Sequence, residues 1–361
     1  MTDGVRGTTL LAFFLIASLS CGVALTTGYA GGTKETAAAT GTVALLLPDT
    51  VGVRYESADR PDFVSKLRML APAVQVIYAN ARSDSVLQRS QAEAALQSGA
   101  QVLVIGPVDP AAAGTIADEA REKNVAVIAY DRMIMGSAGV NYYVSFDEYQ
   151  AGALQASSLV SQLDELNVSN PAILMINGSP NDDISRLVKQ GAHGVLDPLV
   201  AAGKLTIRTE YDAPDDGPDQ ARNEVLEALK DLGGKVDGVY CADDGLAAGA
   251  VAALKTAGLS PLPPVTGRGA ELAAVKSILT GDQFMTVYQP VQPEAEAAAA
   301  LAFDLLTHTL VAPGVTNGET VTNGLIDVPS VLLAPVVVTR DTVKDTVVKD
   351  GFWTAAQVGL P

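Results

Sequence analysis

Apolar runs of strand length alternate with polar-faced stretches of helix length along most of this chain, and the alternation occurs twice. In the first round the apolar runs are TVALLLP (42–48), VQVIYAN (74–80), QVLVIGP (101–107) and VAVIAY (125–130). Between them lie VRYESADRPDFVSKLRML (53–70), SDSVLQRSQAEAALQSG (83–99) and DPAAAGTIADEAREKN (109–124). Short runs rich in β-branched residues read as buried parallel strands. The segments between them read as helices, the second with a serine cap and Gly99 as its stop, the third with Pro110 near its start. A repeated βα unit implies a parallel sheet with right-handed crossovers.

The second round begins after a helix expected over 147–166. Strands are predicted in PAILMINGSP (171–180), KLTIRTE (204–210), DGVYCA (237–242) and FMTVYQP (284–290), and PPVTG (263–267) leads to a strand end. The helices between them are DISRLVKQGAHGVLDPL (183–199), 219–232 and 246–257, the last begun by Asp243-Asp244-Gly245. Two rounds of one pattern predict an α/β fold of two doubly wound parallel-sheet lobes with a cleft between them.

Residues 124–150 join the rounds. The strand from Val125 ends at Tyr130-Asp131-Arg132, an adjacent acid and base, and a second short strand, Tyr142 to Ser145, then runs into a helix. Open α/β sheets bind ligands beyond the carboxyl ends of their strands, where Asp131 and Arg132 stand. The pair reads equally as a ligand site or as an ion pair that closes a strand.

AYDRMI (129–134) followed by YVSFD (143–147) resembles the periplasmic xylose-binding proteins, type I sugar-binding components of ABC importers. NGSP (177–180), MTVYQP (285–290), NGLIDVPSVLLAP (323–335) and the tail KDTVVKDGF (344–352) extend the resemblance over roughly 42–352. It implies three crossings between lobes, placed near 145, 287 and 327. The expected N-terminal lobe is then 42–145 plus 288–326, and the C-terminal lobe 146–287 plus 327–361. It also implies that Asp131 and Arg132 hold sugar hydroxyls. Arg54 and Tyr55 match the family's Arg-Trp pair, and a tyrosine still stacks on a sugar face.

The second lobe departs from the pattern. Asp183 and Ile184 stand where similar proteins have asparagines. Asp216, in the loop Pro214-Asp215-Asp216-Gly217, takes the place of a tryptophan platform. Asp243-Asp244 replaces an Asn-Asp pair. Gly267-Arg268-Gly269 replaces a Gly-Gln-Asp turn and loses its carboxylate, and Gln289 replaces the lysine of a Tyr-Lys-Pro block. The added Asp183, Asp216 and Asp243 favour a cationic or amine-bearing ligand, or are solvated loop acids, with Asp243-Asp244 capping a helix.

Composition narrows the function. Aromatic residues are only 5% of a chain that is 48% hydrophobic, so the core must be mostly Ala, Val and Leu. A net charge of −17 argues against nucleic acid, because no basic surface exists to displace phosphate counterions. His193 and His308 are isolated, so neither a metal site nor a cofactor is expected, and Cys241 reads as a buried thiol. Near the N-terminus LLAFFLIASLSCGVAL (10–25) is short for a membrane span and right for a secretion signal. Ser18-Leu19-Ser20-Cys21 resembles a lipobox that would acylate Cys21, with 1–20 as the signal. Cleavage after Ala30 and a retained anchor are the alternatives, followed by a tether over 31–41. All three place the rest of the chain outside the cytoplasm.

Two functions follow. The first is a monomeric binding component of an ABC importer, with a monosaccharide ligand, ABC permease subunits as partners, and the membrane reached through an N-terminal anchor. The second is a secreted or membrane-anchored sensor or interaction protein that keeps the lobes and has lost the sugar site. An enzyme is not expected: no nucleophile elbow, His-carboxylate pair or phosphate loop appears.

Overall fold

The structure, a computed structural model, describes residues 39–50, 54–214, 217–312 and 314–361. The signal segment with Cys21, most of the tether, and Asp216 lie outside the described residues. The first round folds into β1 (Thr40–Leu47), a π-helical turn (Tyr55–Asp59) running into α1 (Arg60–Leu70), β2 (Ala73–Asn80), α2 (Ser85–Gln97), β3 (Val102–Ile105), α3 (Pro110–Glu122), β4 (Ala126–Tyr130) and β5 (Tyr142–Phe146). β1 starts two residues before the expected strand. Asp84 caps α2 rather than a serine: its carboxylate accepts from Val86 N at 2.9 Å and Leu87 N at 3.0 Å. An ionised acceptor outcompetes a hydroxyl for those amides.

The second round gives α4 (Glu148–Glu165), β6 (Ala172–Asn177), α5 (Asp183–Ala201), β7 (Thr206–Asp212), α6 (Pro218–Asp231), β8 (Gly238–Cys241), α7 (Asp244–Thr256), α8 (Leu272–Thr280) and β9 (Met285–Tyr288). The chain then adds α9 (Val291–Leu306), β10 (Thr320–Thr322), β11 (Asp327–Leu333) and β12 (Val336–Thr339).

One sheet has the order β10-β11-β5-β4-β3-β1-β2, parallel throughout except for the β10/β11 pair. Its central strands β1, β3, β4 and β5 are buried on both faces, as the interior of a parallel sheet requires, while the edge strands β2 and β10 are partly exposed. The second sheet has β7-β6-β8 in parallel and β9 antiparallel to β12. Residues 264–269 close the gap between these pieces. Val239 N donates to Pro264 O at 2.9 Å on one side, and Val287 N to Gly267 O at 2.9 Å on the other. This segment, read from the sequence as a strand end, is therefore an interior member of the sheet. The order β7-β6-β8-(264–269)-β9 repeats β2-β1-β3-β4-β5, so Asp131 and Arg268 follow corresponding strands.

Each sheet carries its own core. One cluster is built from residues between Ala156 and Val265; two others line the faces of the seven-stranded sheet. They share no residue, although 38–361 form one contact unit. The chain passes between sheets after β5, after β9, and at 334–335. The third passage lies beyond the position expected near 327, because Asp327–Leu333 first pairs with β5 in the first sheet.

α4 and α5 pack with their backbones almost touching, which brings the N-terminal turns of both to the same end of the second sheet. A Cβ on Gly152 would lie 1.9 Å from Val188 O, and one on Gly191 1.8 Å from Tyr149 O. Alanine favours a helix over glycine by about 1 kcal/mol. The overlap here is with backbone, which cannot swing aside, so strain wins. Gly191→Ala should lower stability by about 1–3 kcal/mol, seen as a lower urea midpoint at unchanged slope; an unchanged or higher midpoint would contradict the packing.

Candidate functional site

β4 ends in a residue whose backbone is bent out of the sheet. Asp131 has φ +64°, in the left-handed region that non-glycine residues seldom adopt. Its own groups hold it there: Asp131 N donates to Val144 O at 2.9 Å, and its carbonyl accepts from Ser145 Oγ at 2.9 Å and Tyr143 Oη at 3.1 Å. Strain of this kind persists where surrounding contacts fix it, often at functional positions.

The bend turns the carboxylate toward the start of α1. Tyr55 Oη donates to Asp131 Oδ2 at 2.6 Å and Arg54 Nη1 to Oδ1 at 3.3 Å. Thus Arg54, Tyr55 and Asp131, expected from separate parts of the chain, meet. The partner of Asp131 is Arg54, not its neighbour: Arg132 is exposed and forms no ion pair among the described residues. The left-handed bend at Asp131 turns its carboxylate to the start of α1 while Arg132 faces solvent, so sequence adjacency did not make the pair.

Arg54 is held by more than Asp131. Its Nε donates to Asp59 Oδ2 at 3.0 Å and Nη2 to Asp59 Oδ1 at 2.8 Å, a bidentate pair, and Nη2 also reaches Glu294 Oε2. Tyr130 Oη donates to Asp59 as well. Asp59, Tyr130 and Glu294 are buried, while the Arg54 and Asp131 side chains each keep 19% exposure. Burial raises the pKa of Glu294 well above the usual carboxylate range, with Arg54 offsetting only part. Burial also raises Tyr55 and Tyr130, so both stay protonated donors.

Opposite residues arise from the second sheet. Glu148, in the first turn of α4, is buried and accepts from Gln289 Nε2 at 2.8 Å. Arg268 Nη1 lies 3.6 Å from its Oε2. Burial raises the pKa of Glu148, against the opposing pull of Arg268 and Gln289. Two positions that depart from the family pattern, Arg268 and Gln289, therefore meet on one carboxylate. Asp131 and Asp182 also act on it electrostatically.

The other expected acids are engaged locally. Asp183 is exposed and pairs with Arg186 three residues on in α5. Asp243 caps α7, accepting from Leu246 N at 2.8 Å. Asp59, Glu294, Glu148 and Tyr130 were not legible as site residues. The one available signal was a glutamate among the alanines of 291–306, in a stripe that should be apolar.

Asp244 is the deepest acid of the second sheet. It accepts from Gln283 Nε2 at 2.9 Å, Thr286 Oγ1 at 3.0 Å and Glu271 N at 2.9 Å. A Cβ at 267 would sit 2.1 Å from its Oδ1 and 2.6 Å from Gln283 Nε2, so a larger residue there would have to push this bonded pair aside. Among the described residues no cluster of His, Cys, Asp or Glu is arranged to hold a metal ion, and no helix is long and apolar enough to cross a membrane.

Residues 43–309 match the profile of the family described as periplasmic binding protein domain. The chain is 36% identical over 300 residues to the D-xylose-binding periplasmic protein of Escherichia coli, covering 81% of this chain and 86% of that one. It is 31% identical over 335 residues to the multiple sugar-binding periplasmic receptor ChvE of Rhizobium radiobacter, covering 89% and 93%. A solved ABC transporter solute-binding protein from Clostridium phytofermentans with bound β-D-glucose superposes with TM-score 0.73 at 29% identity, over 88% of this chain and 99% of that one. A carbohydrate transporter solute-binding protein from Chloroflexus aurantiacus in complex with D-glucose gives 0.72 at 28% identity, over 89% and 99%.

Burial pushes the Asp244 pKa from the ordinary 3.8 up to about 6, its three hydrogen bonds offsetting only part. A carboxyl raised on folding favours the protonated native state. Its contribution is full below pH 3.8 and is lost as pH rises through about 6. Across that window the loss is about 3 kcal/mol. In Asp244→Asn the fall in unfolding free energy between pH 3 and pH 8 should be smaller by about that amount; an unchanged slope would contradict a raised Asp244.

Proposed function

The chain belongs to the periplasmic binding protein family, and on that premise we propose that it is the extracytoplasmic substrate-binding protein of an ABC transporter, importing a monosaccharide of xylose or glucose type. The observation that carries the reading is the Arg54–Tyr55–Asp131 cluster at the carboxyl end of β4, in a chain similar over most of its length to sugar-binding proteins. A pyranose presents alternating hydroxyls, and a charged acceptor flanked by fixed donors suits them. Asp131 and Arg132 would take hydroxyls from the first lobe; Tyr55, expected to stack on a sugar face, is instead buried in the core of the first sheet and holds Asp131 through its hydroxyl. Glu148, Arg268 and Gln289 would meet the ligand from the second lobe.

The lobes of this reading follow the sheets. The first is built on β1–β5 with α9, β10 and β11; the second runs from α4 to β9 and resumes at β12. Ligand would draw them together about the three passages, and the closed form would engage permease subunits. The reading is binding without catalysis. Attachment to the membrane through an acylated Cys21 belongs to it as well, on the sequence alone. A sensor without a sugar site is less well supported, because Asp131 and its donors Arg54 and Tyr55 are brought together and hydrogen-bonded at the end of β4.

A monosaccharide panel including D-xylose and D-glucose should yield a thermal upshift and a smaller radius of gyration for at least one sugar. Asp131→Ala or Arg132→Ala should weaken that binding by about 10–100-fold, the worth of a hydrogen bond to a charged group. A panel with neither shift nor compaction would remove the importer reading.

A further inference from the structure

Glu294 is wholly buried, yet only one of its oxygens is bonded. Oε2 receives Arg54, and Oε1 has no hydrogen-bond partner. It belongs to an α9 face otherwise made of Val291, Ala295, Ala298, Leu301 and Ala302, all buried. As a device for stability the arrangement is poor. One guanidinium confronts three carboxylates, Asp59, Asp131 and Glu294. Asp59 already satisfies it in the bidentate geometry that arginine prefers. A further buried carboxyl adds desolvation without a charge left to neutralise.

What Glu294 adds is direction. A guanidinium has five N–H groups. The Nε hydrogen and one on Nη2 go to Asp59, the other Nη2 hydrogen to Glu294, and one on Nη1 to Asp131. Glu294 therefore pins the far edge of the fork, and the plane can no longer pivot about the Asp59 pair. Only Nη1 remains to meet Asp131, at one orientation. Tyr55 fixes the other oxygen of Asp131.

We propose that Glu294 is a positioning residue of the ligand site, which through Arg54 sets the orientation in which the Asp131 carboxylate meets a ligand hydroxyl. This rests on the reading of Asp131 as a ligand residue. Burial favours the neutral form of Glu294, so glutamine, which keeps an acceptor for Nη2, is its closest mimic. Leucine fills the space without the acceptor.

The test measures affinity for D-xylose and D-glucose by titration calorimetry, and thermal midpoint, in the wild-type chain and its variants. Glu294→Leu should keep or raise the midpoint while weakening affinity about tenfold, and Glu294→Gln should restore most of that loss. Arg54→Lys carries the charge without the fork, and should also lose about tenfold in affinity while staying folded; it decides the matter if Glu294→Leu does not fold. Wild-type affinity in Glu294→Leu or in Arg54→Lys, or no recovery in Glu294→Gln, overturns the inference alone, provided Asp131→Asn loses binding. If Asp131→Asn binds as the wild type does, or the wild type binds neither sugar, the reading of the site fails and the inference falls with it.

Discussion

A guanidinium that is mostly removed from water must find anionic partners, and Arg54 finds them on three segments far apart in sequence. Asp59 comes from the π-helical turn before α1, Asp131 from the end of β4, and Glu294 from α9, which the chain reaches only after building the whole second sheet. Pairing a buried charge is a strong demand, because breaking such a pair leaves an uncompensated ion in a poor solvent. Asp59 meets that demand from within Arg54's own segment, and the contact from Glu294 adds a fixed direction where the returning helix α9 reaches the point at which Asp131 leaves the first sheet. Packing of α9 on α1 and the sheet supplies the apolar contact; the ion cluster decides how the carboxyl end of β4 is dressed.

The second sheet reaches the corresponding place by other chemistry. There the interior segment 264–269 ends in a turn packed over Asp244, whose three hydrogen bonds join α7, α8 and β9. Beside it Glu148 gathers Gln289 and Arg268. Both halves thus put a buried carboxyl at the ends of their central strands, as expected where one topology is used twice and ligands are taken beyond strand ends. They differ in what meets it: in the first half an arginine with four of its five N–H groups engaged, and in the second amide and hydroxyl donors with one arginine.

Most strands and helices were legible because burial on both faces of a parallel sheet writes continuous apolar runs, and VAVIAY or PAILMIN can hardly be read otherwise. The segment 264–269 was read only as a strand end because Pro263, Pro264 and two glycines mask a strand that is completed by its neighbours. Asp327–Leu333 was assigned past the third passage because nothing local marks which sheet a strand joins. Of the site, Arg54, Tyr55 and Asp131 were legible through family resemblance. Asp183 and Asp243 were not distinguishable from ordinary first-turn acids, and that is how they are used. Glu294 and Asp59 were missed since a sequence shows that an acid is present on a helix but not that an arginine is folded over it.

The account turns on Asp131 being presented to a ligand by an arginine that the protein itself keeps occupied. A crystal structure of the chain with bound D-xylose or D-glucose tests this most directly. The account predicts a sugar hydroxyl within hydrogen-bond distance of the Asp131 carboxylate, with Arg54 still bonded to both Asp59 and Glu294. A sugar seated away from Asp131, or Arg54 swung off those two carboxylates to grip the ligand, would contradict it.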